Sequence, residues 1–315
     1  LLPANINQTI DDISIARMSS YHSFFSNISQ QEAYGLYCWN EALSSALFRL
    51  ISITEVVLRN RFHEAFSQEV SNPQSIGAPT ANDWYNYISL NSKSASKIQK
   101  VTHRWANGGW TPKHPLPTSN DVVSQMTFGF WPALLNQQSI VNWGNVLPNI
   151  VPYHRYKTYA HWNSTHNRGV LWARLDMVNK IRNRIAHFEP VWKQGNLIEE
   201  RRRTQNSPPL TIDIAAPTDT AGAIAMLNLK HQRIVELLRW LSKDRAQDYL
   251  SSYIHDHFTW VCSIEGFESY KNLKVGSELP VSKFKRELNS IVRRQDKVKV
   301  TRCNTDYGTF YPGKR

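Results

Sequence analysis

The chain has 315 residues and a formal net charge of +12, with a sequence pI near 9.6; this length suits one or two domains with a sizeable core. Such a charge favours polyanionic partners, nucleic acid ahead of an anionic membrane surface. The three cysteines, Cys38, Cys262 and Cys303, form no C-x-x-C pair and no run of eighteen apolar residues exists, which argues against a disulfide framework and a membrane-spanning helix and for a reducing, cytoplasmic setting.

The segment Leu1-Leu2-Pro3-Ala4-Asn5 has no basic region followed by an apolar block, so no secretory signal is expected there. The first long helix spans Tyr34 to Gln68. Leu36, Leu43, Leu47, Leu50, Ile51, Val57, Leu58 and Phe62 recur at three- and four-residue steps, and Ser71-Asn72-Pro73 stops the pattern. Asn82-Asp83-Trp84 offers caps for a following segment. Ser92 to Trp105 reads as a basic, exposed helix closed by Asn107-Gly108-Gly109, and Pro112, Pro115 and Pro117 make the next connection a loop.

Ser119 to Leu135 opens on Ser, Asn and Asp cap residues. Its block Met126-Thr127-Phe128-Gly129-Phe130-Trp131 reads as a buried helix end, with Gly129 admitting a close neighbour. Val170 to His187 is the clearest helix, because Leu171, Leu175, Val178, Ile181 and Ile185 step by four, three, three and four. Asn196 to Thr218, with Glu199-Glu200-Arg201-Arg202-Arg203, Pro208-Pro209 and Pro217, is expected to be a loop holding a short strand at Leu210 to Ile214. Ala221 to Leu241 returns to helix. Val281 to Val292 is another, with Phe284, Leu288 and Ile291 as an apolar stripe, and Asp306 to Arg315 reads as a tail. Lys271 to Arg315 holds 12 Lys and Arg against 4 Asp and Glu, so about two-thirds of the net charge sits in the last seventh of the chain. No internal repeat is present. The expected fold class is all-α, with a helical domain over 1–245 and a basic region over 246–315.

The chemistry concentrates in Ile181-Arg182-Asn183-Arg184-Ile185-Ala186-His187-Phe188-Glu189-Pro190. Arginine holds a phosphate through two parallel hydrogen bonds, and histidine moves a proton near neutral pH. Together they suffice to cut RNA without a metal, because RNA supplies its own nucleophile, the 2′-hydroxyl. Asn183 and His187, four apart, share a helix face. Arg182 lies about 7.5 Å from His187 along the axis, within reach of a long side chain. Pro190 disfavours the helical region for Glu189, which puts His187 in the last turn. There it faces the partial negative charge of the carbonyl end, which suits a general acid or a phosphate-holding group better than a metal ligand. The plain reading is a histidine capping a helix C-terminus with no catalytic role. An acid and a base on opposite sides of a scissile phosphate need two groups, so one helix supplies half of such a site and a second copy the rest.

Three blocks in order resemble the Abi-like family of bacterial abortive-infection proteins, within the HEPN superfamily. They are Tyr37-Cys38-Trp39-Asn40-Glu41-Ala42-Leu43-Ser44-Ser45-Ala46-Leu47 running into Glu55-Val56-Val57-Leu58-Arg59-Asn60, then Met126 to Trp131, then Val178 to Pro190. The similarity covers roughly 20–245 and looks closest to the AbiF/AbiD-type branch. It implies a HEPN-type helical bundle with additional helices and the basic C-terminal region, dimerisation across the Arg/His helix, and metal-independent RNA cleavage leaving 2′,3′-cyclic phosphate and 5′-hydroxyl ends. Arg182 and His187 are then the active pair, with Asn183 the polar residue after the arginine. Relatives often carry a second histidine where this chain has Phe188. Some relatives are toxins restrained by a partner RNA, so the partners implied are RNA as substrate, a small non-coding antitoxin RNA and a second copy of the chain.

Glu55 and Arg59 are spaced for an ion pair; in the functional reading Glu55 orients Arg182 and Arg59 contacts RNA. Arg59-Asn60-Arg61-Phe62-His63 echoes the later motif one residue short. His154, His161, His166, His255 and His257 lack carboxylate or cysteine partners at ligand spacing, so no metal and no cofactor is expected. Lys283, Lys285, Arg286, Arg293 and Arg294 are candidates for RNA-backbone contact, against a solvated face or a membrane-surface helix. The leading function is an endoribonuclease toxin in anti-phage defence. The alternatives are a non-catalytic structured-RNA-binding protein of the same fold and a membrane-surface protein.

Overall fold

A computed structural model of the chain describes residues 3–70, 72–135, 141–203, 207–272, 278–294 and 297–311. Asn5 and Ser14 cap two short helices, α1 (Ile6–Ile13) and α2 (Ile15–Phe24). The next helix, α3 (Gln30–Glu69), runs 40 residues, about 60 Å at 1.5 Å per residue. It starts at a capping box the periodicity alone does not show: the Ser29 hydroxyl accepts from the Glu32 N–H at 3.2 Å, and the Ser29 N–H donates to the Glu32 carboxylate at 2.7 Å. Leu36, Leu43, Leu47, Leu50, Ile51, Leu58 and Phe62 are all buried, as the spacing requires. Ser71, the first residue of the expected stop, lies outside the described residues.

A two-residue pair follows, β1 (Gly77–Ala78) with β2 (Ala81–Asn82), then a 3-10 turn at Trp84–Asn86 and α4 (Ser92–Thr102). Contrary to the expected helix to Trp105, the chain leaves helix at Thr102 and forms an antiparallel hairpin, β3 (His103–Ala106) with β4 (Gly109–Pro112). Asn107 at φ 51° and Gly108 at φ 79° make the left-handed Asn-Gly turn whose twist matches that of paired strands. The next expected helix is two, α5 (Ser119–Ser124) and α6 (Phe130–Leu134). The break lets Met126, Phe128, Phe130 and Trp131 all turn into the core.

Then come α7 (Trp143–Ile150), α8 (Tyr159–Asn163) and α9 (Thr165–Ala186). The loop after α9 holds the strand β5 (Leu197–Ile198), which the sequence does not announce, paired with β6 (Ile212–Ile214) inside the expected strand. α10 (Thr220–Leu241), α11 (Lys243–Leu250), α12 (Tyr253–Val261) and α13 (Ile264–Lys271) complete the helical body. Past it lie β7 (Glu278–Pro280), α14 (Val281–Arg294), β8 (Val298–Arg302) and β9 (Thr305–Phe310). β7 pairs parallel with β8, and β8 antiparallel with β9. The expected tail is therefore strand from Thr305 to Phe310; residues 312–315 lie outside the described residues.

The fold is all-α in class, with its strands confined to small two- and three-stranded sheets. α3 is its spine and packs against α2, α7, α9, α10, α12 and α13. The core does not stop at residue 245: Ala246, Tyr249, Phe258, Trp260, Val261, Cys262 and Phe267 belong to it. The Trp39 indole N–H donates to the Val261 carbonyl at 2.8 Å, both buried. A separate small cluster, Leu279, Ile291, Val298 and Val300, holds the last four elements together. Among the described residues no helix is long and apolar enough to cross a membrane.

Gly35 lets α13 meet α3, since a Cβ there would lie 2.1 Å from the Tyr270 carbonyl oxygen. Gly35→Ala is expected to lower stability by about 1–3 kcal/mol, read as a reduced urea midpoint. His231 is buried against Phe258, with ring centroids 3.9 Å apart, and its Nε2 lies 2.7 Å from the Tyr249 hydroxyl. Burial, helped by nearby His255, pushes its pKa down to about 3. Unfolded histidine titrates near 6.5, so stability is full above about pH 6.5 and drains away as pH falls toward 3. Urea unfolding at pH 7 and pH 4.5 is expected to show a larger drop for the wild type than for His231→Gln.

Candidate functional site

The helix that carries the Arg/His stretch is fixed at both ends and along its buried face. Ser164 caps its start, and Leu171, Leu175, Val178 and Ile181 face the core. Arg174 lies in that same buried stripe. It binds both oxygens of Glu200, donates to Glu236 at 2.8 Å and to the Arg233 carbonyl at 3.0 Å, and sits 4.9 Å from the Trp240 ring. A buried arginine is tolerated only with such complete pairing. The network ties α9 to α10 and to the β5–β6 loop.

At the other end His187 is the C-cap, one residue past the last helical position. The Phe188 N–H bonds to the Ile185 carbonyl at 3.0 Å and the Glu189 N–H to the Arg184 carbonyl at 2.9 Å. This is the Schellman arrangement, which puts its next residue in the left-handed region and so favours glycine. Here that residue is Phe188, at φ 54° and 75% exposed. The turn is held from outside. Arg17 donates to the Phe188 carbonyl at 2.8 Å, and the Val191 N–H donates to the buried Asn40 side chain at 2.8 Å. Trp192 then packs among Tyr21, Phe24 and Phe25 at 4.7–5.2 Å between centroids. Arg184 is a clamp for this turn, bonding to the carbonyls of Pro190 and Lys193.

Arg182 and Asn183 line a cleft of about 250 Å3 with Lys93 and Lys97 of α4, Thr127, Gly129 and Asn179. The Arg182 Nε is buried and has no acceptor among the described residues. Its Nη1 lies 3.5 Å from the Asn183 side-chain oxygen. Lys97 has its pKa lowered by burial first and then by the charges of Lys93 and Arg182, so three cations crowd one wall. Gly129 admits Asn179 closely: a Cβ would sit 3.1 Å from its amide oxygen. Glu55 is half-buried beside this group. Burial raises its pKa, while Arg182, Arg59 and the Phe128 N–H stabilise its anion. Arg59 forms no ion pair with Glu55 within 4 Å; its Nη1 donates to the Ser124 carbonyl at 2.5 Å, at the end of α5.

His187 faces elsewhere. With Asn183, Lys180, Arg184, Lys230 and Arg233 it lines a larger cleft of about 570 Å3. Asn183 is thus the wall between the two clefts, and one chain does not close Arg182 and His187 around a single pocket. Lys230 is the residue of this cleft that sequence reading passed over. It is buried, its Nζ lies 2.5 Å from the Gln194 side-chain oxygen, and burial followed by the charges of Arg184, Arg233 and Lys180 lowers its pKa to about 8. The available signal was a lysine on the core face of α10, between Leu227 and Ile234.

A family model described as Abi-like protein matches residues 9–193. The chain belongs to the Abi-like family. No curated protein and no solved structure matches it. The Abi-like match ends just after Trp192, so it contains Glu55, Arg182, Asn183 and His187 and leaves out α10 to α14. His63 of the shorter echo motif is a core residue of this Abi-like fold, accepting from the Trp84 indole at 2.9 Å. Lys283, Lys285, Arg286, Arg293 and Arg294 are exposed along α14; Arg294 bonds to Ser290 and Arg286 lies 3.9 Å from Glu287. Among the described residues no group of three or more His, Cys, Asp or Glu is placed to hold a metal.

A phenylalanine in the left-handed region costs about 1–2 kcal/mol. Phe188→Gly is therefore expected to raise stability by about 1 kcal/mol after the greater freedom of unfolded glycine is counted, measured as a higher denaturant midpoint. A fall in stability would mean that the exposed ring makes a contact of its own.

Proposed function

We propose that this Abi-like protein is a metal-independent endoribonuclease toxin of abortive-infection defence, with the HEPN-type active site of the AbiF/AbiD-type branch. The observation that carries the reading is the Arg182 cleft, which Arg182 lines together with Lys93 and Lys97 and where its buried Nε–H has no acceptor among the described residues. Buried donors are nearly always satisfied, and a phosphate oxygen is the acceptor this charge pattern suits. Arg182 holds the scissile phosphate and stabilises the charge that develops on it. Glu55 supplies the counter-charge that keeps the guanidinium in place, and Asn183 bridges from Arg182 toward His187.

In the reaction the RNA 2′-oxygen bonds to phosphorus as the bond to the 5′-oxygen breaks. One group takes the 2′-hydroxyl proton and another protonates the departing 5′-oxygen, leaving 2′,3′-cyclic phosphate and 5′-hydroxyl ends. His187, exposed at its helix end and lining the other cleft, makes one of these transfers once a second copy brings the two clefts together. The His187 of a second copy supplies the other. Exposed apolar side chains suit such a dimer: Phe188, and Phe48 and Val56, which lie before and after Glu55 on α3. The five cations of α14 suit contact with an RNA backbone, including that of a small non-coding RNA that restrains the toxin.

Cleavage of bulk RNA in EDTA separates the possibilities. His187→Ala and Arg182→Ala are each expected to lower the rate by about 10²–10⁴-fold, with cyclic phosphate ends from the wild type. Equal cleavage by wild type and His187→Ala removes the assignment. Co-purified RNA that is never cut favours a non-catalytic RNA-binding role for the same fold.

A further inference from the structure

Between Asp83 and Asp121 the chain carries five Lys and Arg residues and no carboxylate. Three of them, Lys93, Lys97 and Lys100, are spaced four and three apart on α4 and so share one face. Lys93 and Lys97 reach the cleft of Arg182. Lys100 and Arg104 are exposed further along. The three lysines span about 10 Å along the helix, and Arg104 continues the row into the β3–β4 hairpin. There Trp105 and Trp110 are directly opposite each other across the strands, with ring centroids 5.6 Å apart at 79°. They are 63% and 39% exposed, whereas Trp39, Trp84, Trp131, Trp162, Trp192 and Trp260 are fully buried.

We propose that α4 and the β3–β4 hairpin form a track for single-stranded RNA, with Lys93, Lys97, Lys100 and Arg104 following the backbone from Arg182 and Trp105 and Trp110 stacking the bases at its far end. Cations in a row beside open aromatic rings are the combination that binds single strands without reading their sequence. Duplex RNA keeps its bases stacked inside and offers the rings nothing. A membrane surface fits less well. The apolar side of α4, with Ile98 and Val101, is already in the core, so no amphipathic face is left to enter lipid. The track rests on the ribonuclease reading only for its direction, since it names the substrate form that reaches Arg182.

The test is binding, measured in a His187→Ala background so that cleavage plays no part. A labelled unstructured single-stranded RNA and a duplex of the same length are titrated by fluorescence anisotropy. Trp105→Ala with Trp110→Ala is expected to weaken single-strand binding by about tenfold or more and duplex binding by less than about twofold. Lys100→Ala with Arg104→Ala, which leaves the hairpin rings intact, is expected to weaken binding and to lower the salt slope by about 1.4, at 0.7 per lost phosphate contact. Unchanged melting temperatures show that both variants fold. Single-strand affinity within about twofold of the parent in the tryptophan variant overturns the track. So do equal losses on single strand and duplex, and so does hairpin-dependent binding to anionic vesicles without single-strand binding. If wild type and His187→Ala cleave RNA equally while the tryptophan variant still loses single-strand binding, the ribonuclease reading fails and the track stands.

Discussion

The burial of α3 is the constraint from which the rest of the architecture follows. A helix of 40 residues with buried positions from Ala33 to Ser67 cannot rest against one partner. It takes α2, α7, α9, α10, α12 and α13 to cover it. Close approach is possible only where a side chain is missing, as at Gly35, or where a polar group is given a partner, as with Trp39 and the Val261 carbonyl. Because α3 also carries Glu55 on a less buried face, the spine that builds the core sets where the Arg182 cleft lies.

The second level is the way the end of α9 is held. A helix terminus next to proline would otherwise fray. Here Asn40, Arg17, Arg184 and the buried Trp192 fix the turn through Phe188, although its backbone conformation is unfavourable for a phenylalanine. Strain of this kind persists only where the surroundings over-determine it. The result is a rigid step between two clefts, with Arg182 on one side, His187 on the other and Asn183 shared. Cations gather on both sides, and on the side of the larger cleft several are paired, Lys180 with Asp176, Arg184 with Glu189 and Arg233 with Glu200. The lowered pKa values of Lys97 and Lys230 register burial first and that crowding second.

Two appendages of different construction carry exposed positive charge. One is α4 with its hairpin, rooted in the main core through Ile98 and Val101. The other is the β7–α14–β8–β9 unit, with a small core of its own and its basic helix on the outside. Each is a compact local structure, so each holds its cations at fixed spacing and not on a wandering tail.

Periodicity determined the long helices by itself. The apolar stripes of α3 and α9 are strong, and Leu36, Leu43, Leu47, Leu50, Leu171, Leu175 and Val178 are buried as the spacing requires, whereas buried polar residues such as Arg174 and Lys230 were not legible from it. The Arg182–His187 stretch and the Abi-like family were legible from residue order, and so was the room Gly129 makes for a neighbour. Other features depended on contacts that no local pattern contains. Asn107-Gly108 closes a helix or turns a hairpin with equal ease, and the pairing of His103–Ala106 with Gly109–Pro112 is what makes it a hairpin. The last strand looked like a tail because its pairing with β8 and the small cluster beneath it are tertiary. The core ran past residue 245 because Trp39 and Gly35 of α3 needed α12 and α13 against them. In the site, spacing put Arg182 and His187 within reach of each other along one helix. Packing of α4 on one flank and α10 on the other gave them separate clefts, because the direction of a side chain at a helix end is set by what covers each face.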